Sequence, residues 1–196
     1  MGERKGLVIV ISGQVGTGKT THAKLLAEEF NLRYVSSGQL FRSLAKERGL
    51  SLEEFHKLAE QDPKIDLLVD ERAVREAEKG NVVLEGHLTA WIVKDLADVK
   101  ILLVAPFEVR VQRVAEREGI GLEEALKDVT QRDESNKLRA KKYYGIELSD
   151  WSIFDIIINT GKLPISGVFN VLKTFVYEYL KVKEEQSRYD RLKGKV

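Results

Sequence analysis

No cysteine occurs among the 196 residues, which excludes disulfides and thiolate metal sites. No apolar run approaches the roughly 20 residues that a membrane span requires, so no membrane partner is expected. An excess of one charge is missing as well. The chain has 32 lysines and arginines against 31 acids, a net charge of +1, which falls short of the basic surplus of a dedicated nucleic-acid binder. Met1 to Gly6 leads straight into an apolar segment and leaves no room for a secretory leader. Gly6 also stands where a myristoylation signal carries serine or threonine. A cytoplasmic protein is expected, without nucleic acid as a partner. Repeats, low-complexity tracts and linkers are lacking too. With 43% hydrophobic and 32% charged residues, the chain can build one well-buried domain, with a densely charged surface and a small inserted lid.

What is present is concentrated first at Gly13-Gln14-Val15-Gly16-Thr17-Gly18-Lys19-Thr20, which fits Gly-x4-Gly-Lys-[Ser/Thr]. The backbone N–H groups of such a loop cradle nucleotide phosphates. Gly13 and Gly18 let the chain curl where a Cβ would clash. Lys19 would reach the β- and γ-phosphates and the Thr20 hydroxyl would ligate Mg²⁺. A glycine-rich turn matches this pattern by accident in about one chain of this length in a hundred. Here Leu7 to Ile11 forms an apolar strand directly before the loop, and Ala23 to Phe30 a helix directly after it. The helix starting near Gly18 aims its positive end at the anion. A triphosphate site follows, but not the use made of it.

Further along, a short strand is expected at Arg33 to Val35 and a helix from Gln39 to Arg48 capped by Ser37. Helices follow over Leu52–Glu60 and Ile65–Glu78, with Pro63 in a first turn. Strands follow at Val82–Leu84, Lys100–Ala105 and Phe154–Ile158. Helices are expected over Glu108–Arg117, Leu122–Tyr144 and Val168–Tyr179. The charged tail from Lys181 is either frayed or an exposed helical extension. Strands that are near-continuous apolar runs alternating with helices imply a doubly wound parallel sheet in three layers, an α/β fold. Ligands of such sheets bind at the C-terminal strand ends.

Those ends direct attention to Ser36–Arg42, Glu85–Leu88 and the arginines after residue 106. Arg42 can anchor a second phosphate through its planar fork, although a solvent-facing helix arginine is the commoner case. Arg110, Arg113 and Arg117 share a helix face at i, i+3, i+7. With Glu108, Glu116 and Glu118 between them, they form either a salt-bridged solvent face or a set of cations for phosphoryl transfer, which depends mainly on positioned charge. Glu85 either holds the Mg²⁺ hydration shell or is a helix-capping or exposed residue. His87 either touches the substrate or is structural. His22 and His56 read as helix-surface residues, and Phe169, Phe175, Tyr177 and Tyr179 as helix packing.

Together these segments resemble a nucleoside monophosphate kinase, most closely a cytidylate kinase of the small archaeal type. The matching pieces are Gly13 to Thr21, Ser37-Gly38-Gln39-Leu40-Phe41-Arg42, Leu84-Glu85-Gly86-His87 and Gln131 to Arg139. The resemblance implies a kinase fold on a phosphate-binding loop, with residues 1–196 as one domain, acceptor-binding helices at about 36–80 and a helical lid at about 118–145. It implies that Gly13, Gln14, Val15, Gly16, Thr17, Gly18, Lys19, Thr20 and Thr21 hold ATP. Ser37, Gly38 and Arg42 would hold the monophosphate, with Gly86, His87 and Asn136 beside it. Arg132 and Arg139, the Arg-x6-Arg pair, would grip the transferring phosphate, and Thr20 and Glu85 the Mg²⁺. Asn136 stands where bacterial members carry a substrate-contacting aspartate, and His87-Leu88 where they carry Arg-Asp. An adenylate kinase fits less well, because no Gly-Tyr-Pro-Arg segment follows the second strand. The expected reaction converts ATP and CMP or dCMP to ADP and CDP or dCDP, in a monomer. A kinase for UMP, AMP or a small metabolite, and an ATPase switch, are the alternatives.

Overall fold

The computed structural model describes residues 6–193. Its first strand, β1 (Val8–Gly13), is buried along its whole length, as a strand covered on both faces must be. After α1 (Lys19–Glu29) come β2 (Arg33–Ser36), α2 (Ser37–Glu47), α3 (Leu52–Ala59) and α4 (Lys64–Lys79). Then follow β3 (Val82–Glu85), a short α5 (Thr89–Ile92), β4 (Val99–Val104), α6 (Phe107–Glu118) and α7 (Leu122–Tyr144). The chain closes with β5 (Ile156–Asn159) and α8 (Ile165–Lys193). The strands form one parallel sheet in the order β2-β3-β1-β4-β5. Ile11 pairs with Glu85 and Gly13 with Leu103, so the end of β1, the end of β3 and the end of β4 lie on one edge.

The period-two alternation of β1 sorts the layers. Ile9 and Ile11 pack with Ala23 and Leu26 of α1 and with Val168, Leu172 and Val176 of α8. Val8 and Val10 pack on the other face with Ala73 and Ala77 of α4 and Ala90 of α5. Two smaller apolar clusters lie off the sheet. Phe41, Phe55, Ala59, Ile65 and Val69 join α2, α3 and α4, whereas Val111, Val114, Ala125 and Val129 join α6 to α7. Among the described residues no helix is long and apolar enough to cross a membrane.

The element types match the expectations, but several boundaries move. Ser36, not Ser37, caps α2: its hydroxyl accepts from the Gln39 N–H at 3.1 Å. Ser37 is the first helical residue instead. Helix α8 begins at Ile165 and runs on to Lys193, so the charged tail is helix that far; residues 194–196 lie outside the described residues. β5 begins at Ile156, because Asp155 closes its start: the carboxylate accepts from the Lys100 N–H at 2.7 Å. Helix α5 is too short to show a period.

Two histidines are also corrected. His22 is 3% exposed, because its ring backs onto the Gly18 turn. His56 is half-buried where α3 meets α7, its ring 4.8 Å from that of Phe41 and its Nδ1 3.2 Å from Ser135 Oγ. Burial, then Arg113, pulls His22 down to about 4, and burial, then Arg139 and Arg132, pulls His56 down to about 3.

Candidate active site

The loop between β1 and α1 takes its shape from its glycines. Gly16 has φ +81°, and a Cβ there would lie 2.6 Å from the Arg110 carbonyl oxygen. Gly18 caps α1 in the left-handed region, φ 89°, with no side-chain cap and no acidic residue in the first turn. The helix end therefore keeps its N–H groups and its positive pole for an anion. Gln14 turns its carbonyl inward, where it accepts from Thr17 Oγ1 at 2.9 Å and from Lys19 Nζ at 2.7 Å. Burial pulls the Lys19 ammonium down to about 8 against the opposing pull of Glu85 and Asp133. Thr21 is exposed on α1.

The loop is held from outside by two of the three α6 arginines, a use that neither reading of that face named. Arg110 is 4% exposed and donates to the Val15 carbonyl at 3.0 Å and to Asp133 Oδ2 at 2.7 Å. Arg113 donates to the Thr160 hydroxyl at 2.9 Å and carbonyl at 2.8 Å. Thr160 in turn donates to the Thr17 carbonyl at 3.0 Å. Arg117 is the solvent-facing one, exposed and paired with its neighbour Glu118. Asp133 also accepts from the Val15 N–H and from Gln14 Nε2, each at 3.4 Å. A carboxylate of α7 is thereby set on the loop itself. Asp133 stands inside the Gln131–Arg139 motif and could have been suspected there. Thr160 could have been found at the C-terminal end of β5, where the strand-end rule points.

Glu85 ends β3 and is 4% exposed. Its Oε1 accepts hydroxyls from Thr20 and Tyr34, each at 3.1 Å, and from Ser36. Burial, then the Glu85 charge, pushes the Tyr34 phenol up to about 12, so it stays a donor. The helix-capping alternative for Glu85 does not apply: its carboxylate reaches back to the loop. Thr20 and Glu85 together offer a hydroxyl and a carboxylate oxygen, and a divalent magnesium ion, which takes few protein oxygens and keeps much of its water, fits that pair.

On the other flank, a Cβ on Gly86 would lie 2.2 Å from Thr89 Oγ1 and 2.8 Å from Ser37 Cβ. Glycine thus lets the end of β3 pass against the start of α2, where Ser37 and Thr89 hydroxyls lie 3.1 Å apart. Arg42 extends from α2, exposed and with no hydrogen bond or ion pair to the described residues. A Cβ on Gly38 would lie 3.4 Å from its Nη1. Both ring nitrogens of His87 are out of water's reach. Burial, then Lys19 and Arg139, pulls that ring down to about 3. Of the α7 pair, Arg132 Nε lies 2.9 Å from Asp128 Oδ1. Arg139 is 4% exposed, pairs with Asp66 of α4, and donates to Asn136 Oδ1 at 2.7 Å. Nothing in the local pattern around Asp66 marks it as a partner of α7.

One turn past Asp66, Asp70 accepts from the Tyr144 hydroxyl, and burial pushes its carboxyl up to about 6. The folded chain therefore holds a proton there that the unfolded chain has released, so stability falls as pH rises from about 4 to about 6. Asp70→Asn is expected to melt with the native protein at pH 3.5 and to gain about 1 kcal/mol over it at pH 7. Parallel thermal melts at the two pH values check this, and an equal offset at both would contradict it.

A parallel sheet with a glycine-rich loop at its leading strand, a lysine and threonine at the following helix start, and arginines around them defines an α/β phosphotransferase. The fold agrees with solved structures at low identity. A gluconokinase from Sinorhizobium meliloti 1021 is 13% identical, with a TM-score of 0.59 over 93% of this chain and 98% of that one. A shikimate kinase from Acinetobacter baumannii in complex with shikimate is 15% identical, with a TM-score of 0.55 over 89% and 95%. Residues 8–162 match the model of the cytidylate kinase-like family. A cytidylate kinase of Staphylothermus marinus is 51% identical over 89% of this chain and 99% of its own length. Another, from Pyrococcus horikoshii, is 49% identical over 87% and 88%. The chain belongs to the cytidylate kinase-like family.

Proposed function

We propose that this protein transfers the γ-phosphoryl group of ATP to CMP, and to dCMP, giving ADP and CDP or dCDP with Mg²⁺. The observation that carries it is the presence of two candidate phosphate grips after β1 and β2, strands whose ends share one edge of the sheet. One is the loop with Lys19. The other is Arg42, whose guanidinium has no anion to hold among the described residues, beside Ser37 and Gly38 at the turn into α2. The attacking group is a phosphate oxygen of the monophosphate, already anionic, so no general base is needed. Thr20 and Glu85 would hold Mg²⁺, which supplies charge neutralisation across the donor phosphates when bound.

In this proposal residues 13–21 bind ATP, while Ser37, Gly38, Arg42, Gly86, His87 and Asn136 form the acceptor side. Lys19, Arg132 and Arg139 neutralise the transferring group. For Arg132 and Arg139 this requires a change of partner, from Asp128 and Asp66 to phosphate oxygens. The helices at about 36–80 and about 118–145 are the moving parts; the first of these has an apolar cluster of its own. Closure over the phosphates would exclude water and protect ATP from hydrolysis. The substrates are small nucleotides, which suits a cytoplasmic monomer that needs neither nucleic acid nor a membrane.

A coupled assay of ADP release, run with ATP and a panel of nucleoside monophosphates, tests the proposal. Turnover with CMP and dCMP is expected. ADP release that is indifferent to every acceptor would replace it with an ATPase. Arg42→Ala is expected to raise KM for CMP about 10- to 100-fold, the worth of a charged hydrogen bond, with KM for ATP within about twofold. An equal rise for both substrates would remove Arg42 from the acceptor side.

A further inference from the structure

Strand β2 carries Tyr34 and Ser36 two residues apart, so both side chains leave the same face of the strand. In the register with β3, Tyr34 lies opposite Val83 and Ser36 opposite Glu85. The face is the one under α1, where Tyr34 and Val83 join Ala23 and Leu26. Thr20, in the first turn of α1, reaches the same carboxylate. All three hydroxyls donate to one atom, Glu85 Oε1, Thr20 and Tyr34 each at 3.1 Å.

A carboxylate has about four acceptor positions on its two oxygens, so three donors could spread over both. Here they crowd one. No donor among the described residues bonds Oε2, and that oxygen is not sealed from water although Glu85 as a whole is buried. The two oxygens thus have different tasks: Oε1 is fastened and Oε2 is left open. A glutamate that takes up a cation loses side-chain freedom on doing so. With Oε1 fastened in the folded chain, that loss precedes the arrival of the cation, and Oε2 is presented in one direction.

We propose that Tyr34 is a positioning residue for the metal ion, its phenol holding Oε1 of Glu85 so that Oε2 is presented to the ion or to a water of its shell. This rests on the Mg²⁺ site of Thr20 and Glu85 proposed above. Tyr34 acts through Glu85 and is not itself a ligand. Removing a partner of this kind weakens metal binding about 10- to 100-fold. Ser36 shares the task, but its oxygen also accepts the Gln39 N–H at the start of α2, which ties it to the helix that carries Arg42. Tyr34 is therefore the residue whose change isolates the effect.

Tyr34→Phe removes the hydroxyl and keeps the ring in its half-buried place. The readout is the affinity for Mn²⁺, an ion that takes the same oxygen ligands as Mg²⁺, in the complex of the protein with ADP. Loss of the free-ion EPR signal follows it, with protein in excess over ADP. The native complex is expected to hold Mn²⁺ more tightly than free ADP does. Tyr34→Phe should weaken the hold on Mn²⁺ about tenfold, with the affinity for ADP in the absence of metal within about twofold. An unchanged affinity for Mn²⁺ overturns the proposal. So does an equal loss of metal-free ADP binding, which would make Tyr34 a prop of the loop. A second measurement asks whether the effect passes through Glu85. In a Glu85→Gln background, Tyr34→Phe should change Mn²⁺ affinity by less than about twofold, and the full effect there would also overturn it. A native complex that holds Mn²⁺ no better than free ADP would instead overturn the metal site of Thr20 and Glu85, and this inference with it.

Discussion

Lys19→Ala is expected to lower kcat by about 10³-fold, the loss that follows removal of a positioned donor to developing charge. Lys19 follows the Gly18 turn at the start of α1, and its ammonium already bends over the loop to the Gln14 carbonyl at 2.7 Å. With its pKa pulled to about 8, it is charged at neutral pH and poorly solvated, so it can pass to a phosphate oxygen at little cost in water. Stability should not fall with activity. A lysine whose pKa is depressed in the folded chain opposes folding wherever it is protonated, so the alanine variant should melt at the native temperature or slightly above it. Steady-state turnover and a calorimetric scan on one preparation separate the two effects. Near-native kcat would reject the role of Lys19, and a collapsed melting temperature would make the loss one of folding. Arginine is not expected to rescue it, because a planar fork does not fill the space of a compact ammonium.

The second large effect is on stability in acid. His56 is held near pKa 3 in the folded chain, against about 6.5 when unfolded. Between those values the unfolded chain binds a proton that the folded chain refuses, so stability is lost as pH falls below about 6.5. His22 and His87 act in the same direction, held at about 4 and about 3, and Asp70 in the opposite one. Comparing the native protein with His56→Gln isolates one contribution. Glutamine can keep the bond to Ser135 and takes no proton. Discounted for the half-buried position, the native protein should lose about 1–2 kcal/mol relative to the variant between pH 7 and pH 5. Chemical denaturation at the two pH values measures it, and a constant difference would mean that His56 protonates freely in the fold.

The shape of residues 13–20 was legible in the sequence because its chemistry is local: Gly16 and Gly18 stand three positions and one before Lys19 and predict a turn there. The α6 face was half legible. Spacing put Arg110, Arg113 and Arg117 together, but only the three-dimensional path of β5 and α7 shows that Thr160 and Asp133 take two of them away from solvent. Asp66, and Asp133 as a partner of the loop, escaped notice for the same reason. Their partners Arg139 and Val15 stand 73 and 118 residues away, and no period or motif spans such a gap. His22 and His56 were misread as surface residues because a helix face that meets polar neighbours has no apolar stripe to announce its burial.

The seam along which α7 meets α3 and α4 is nearly all polar. Tyr143 donates to the Ala59 carbonyl at 2.8 Å and Lys142 to that of Glu60 at 2.6 Å. Tyr144 meets Asp70, and Arg139 meets Asp66. The apolar contacts stay within each group of helices. Parting this seam exchanges hydrogen bonds for water and uncovers little hydrocarbon, so it carries a small change in heat capacity. The equilibrium between parted and joined forms should therefore vary gently with temperature, while added electrolyte weakens the charged contacts across it. Such a seam responds to salt more than to heat.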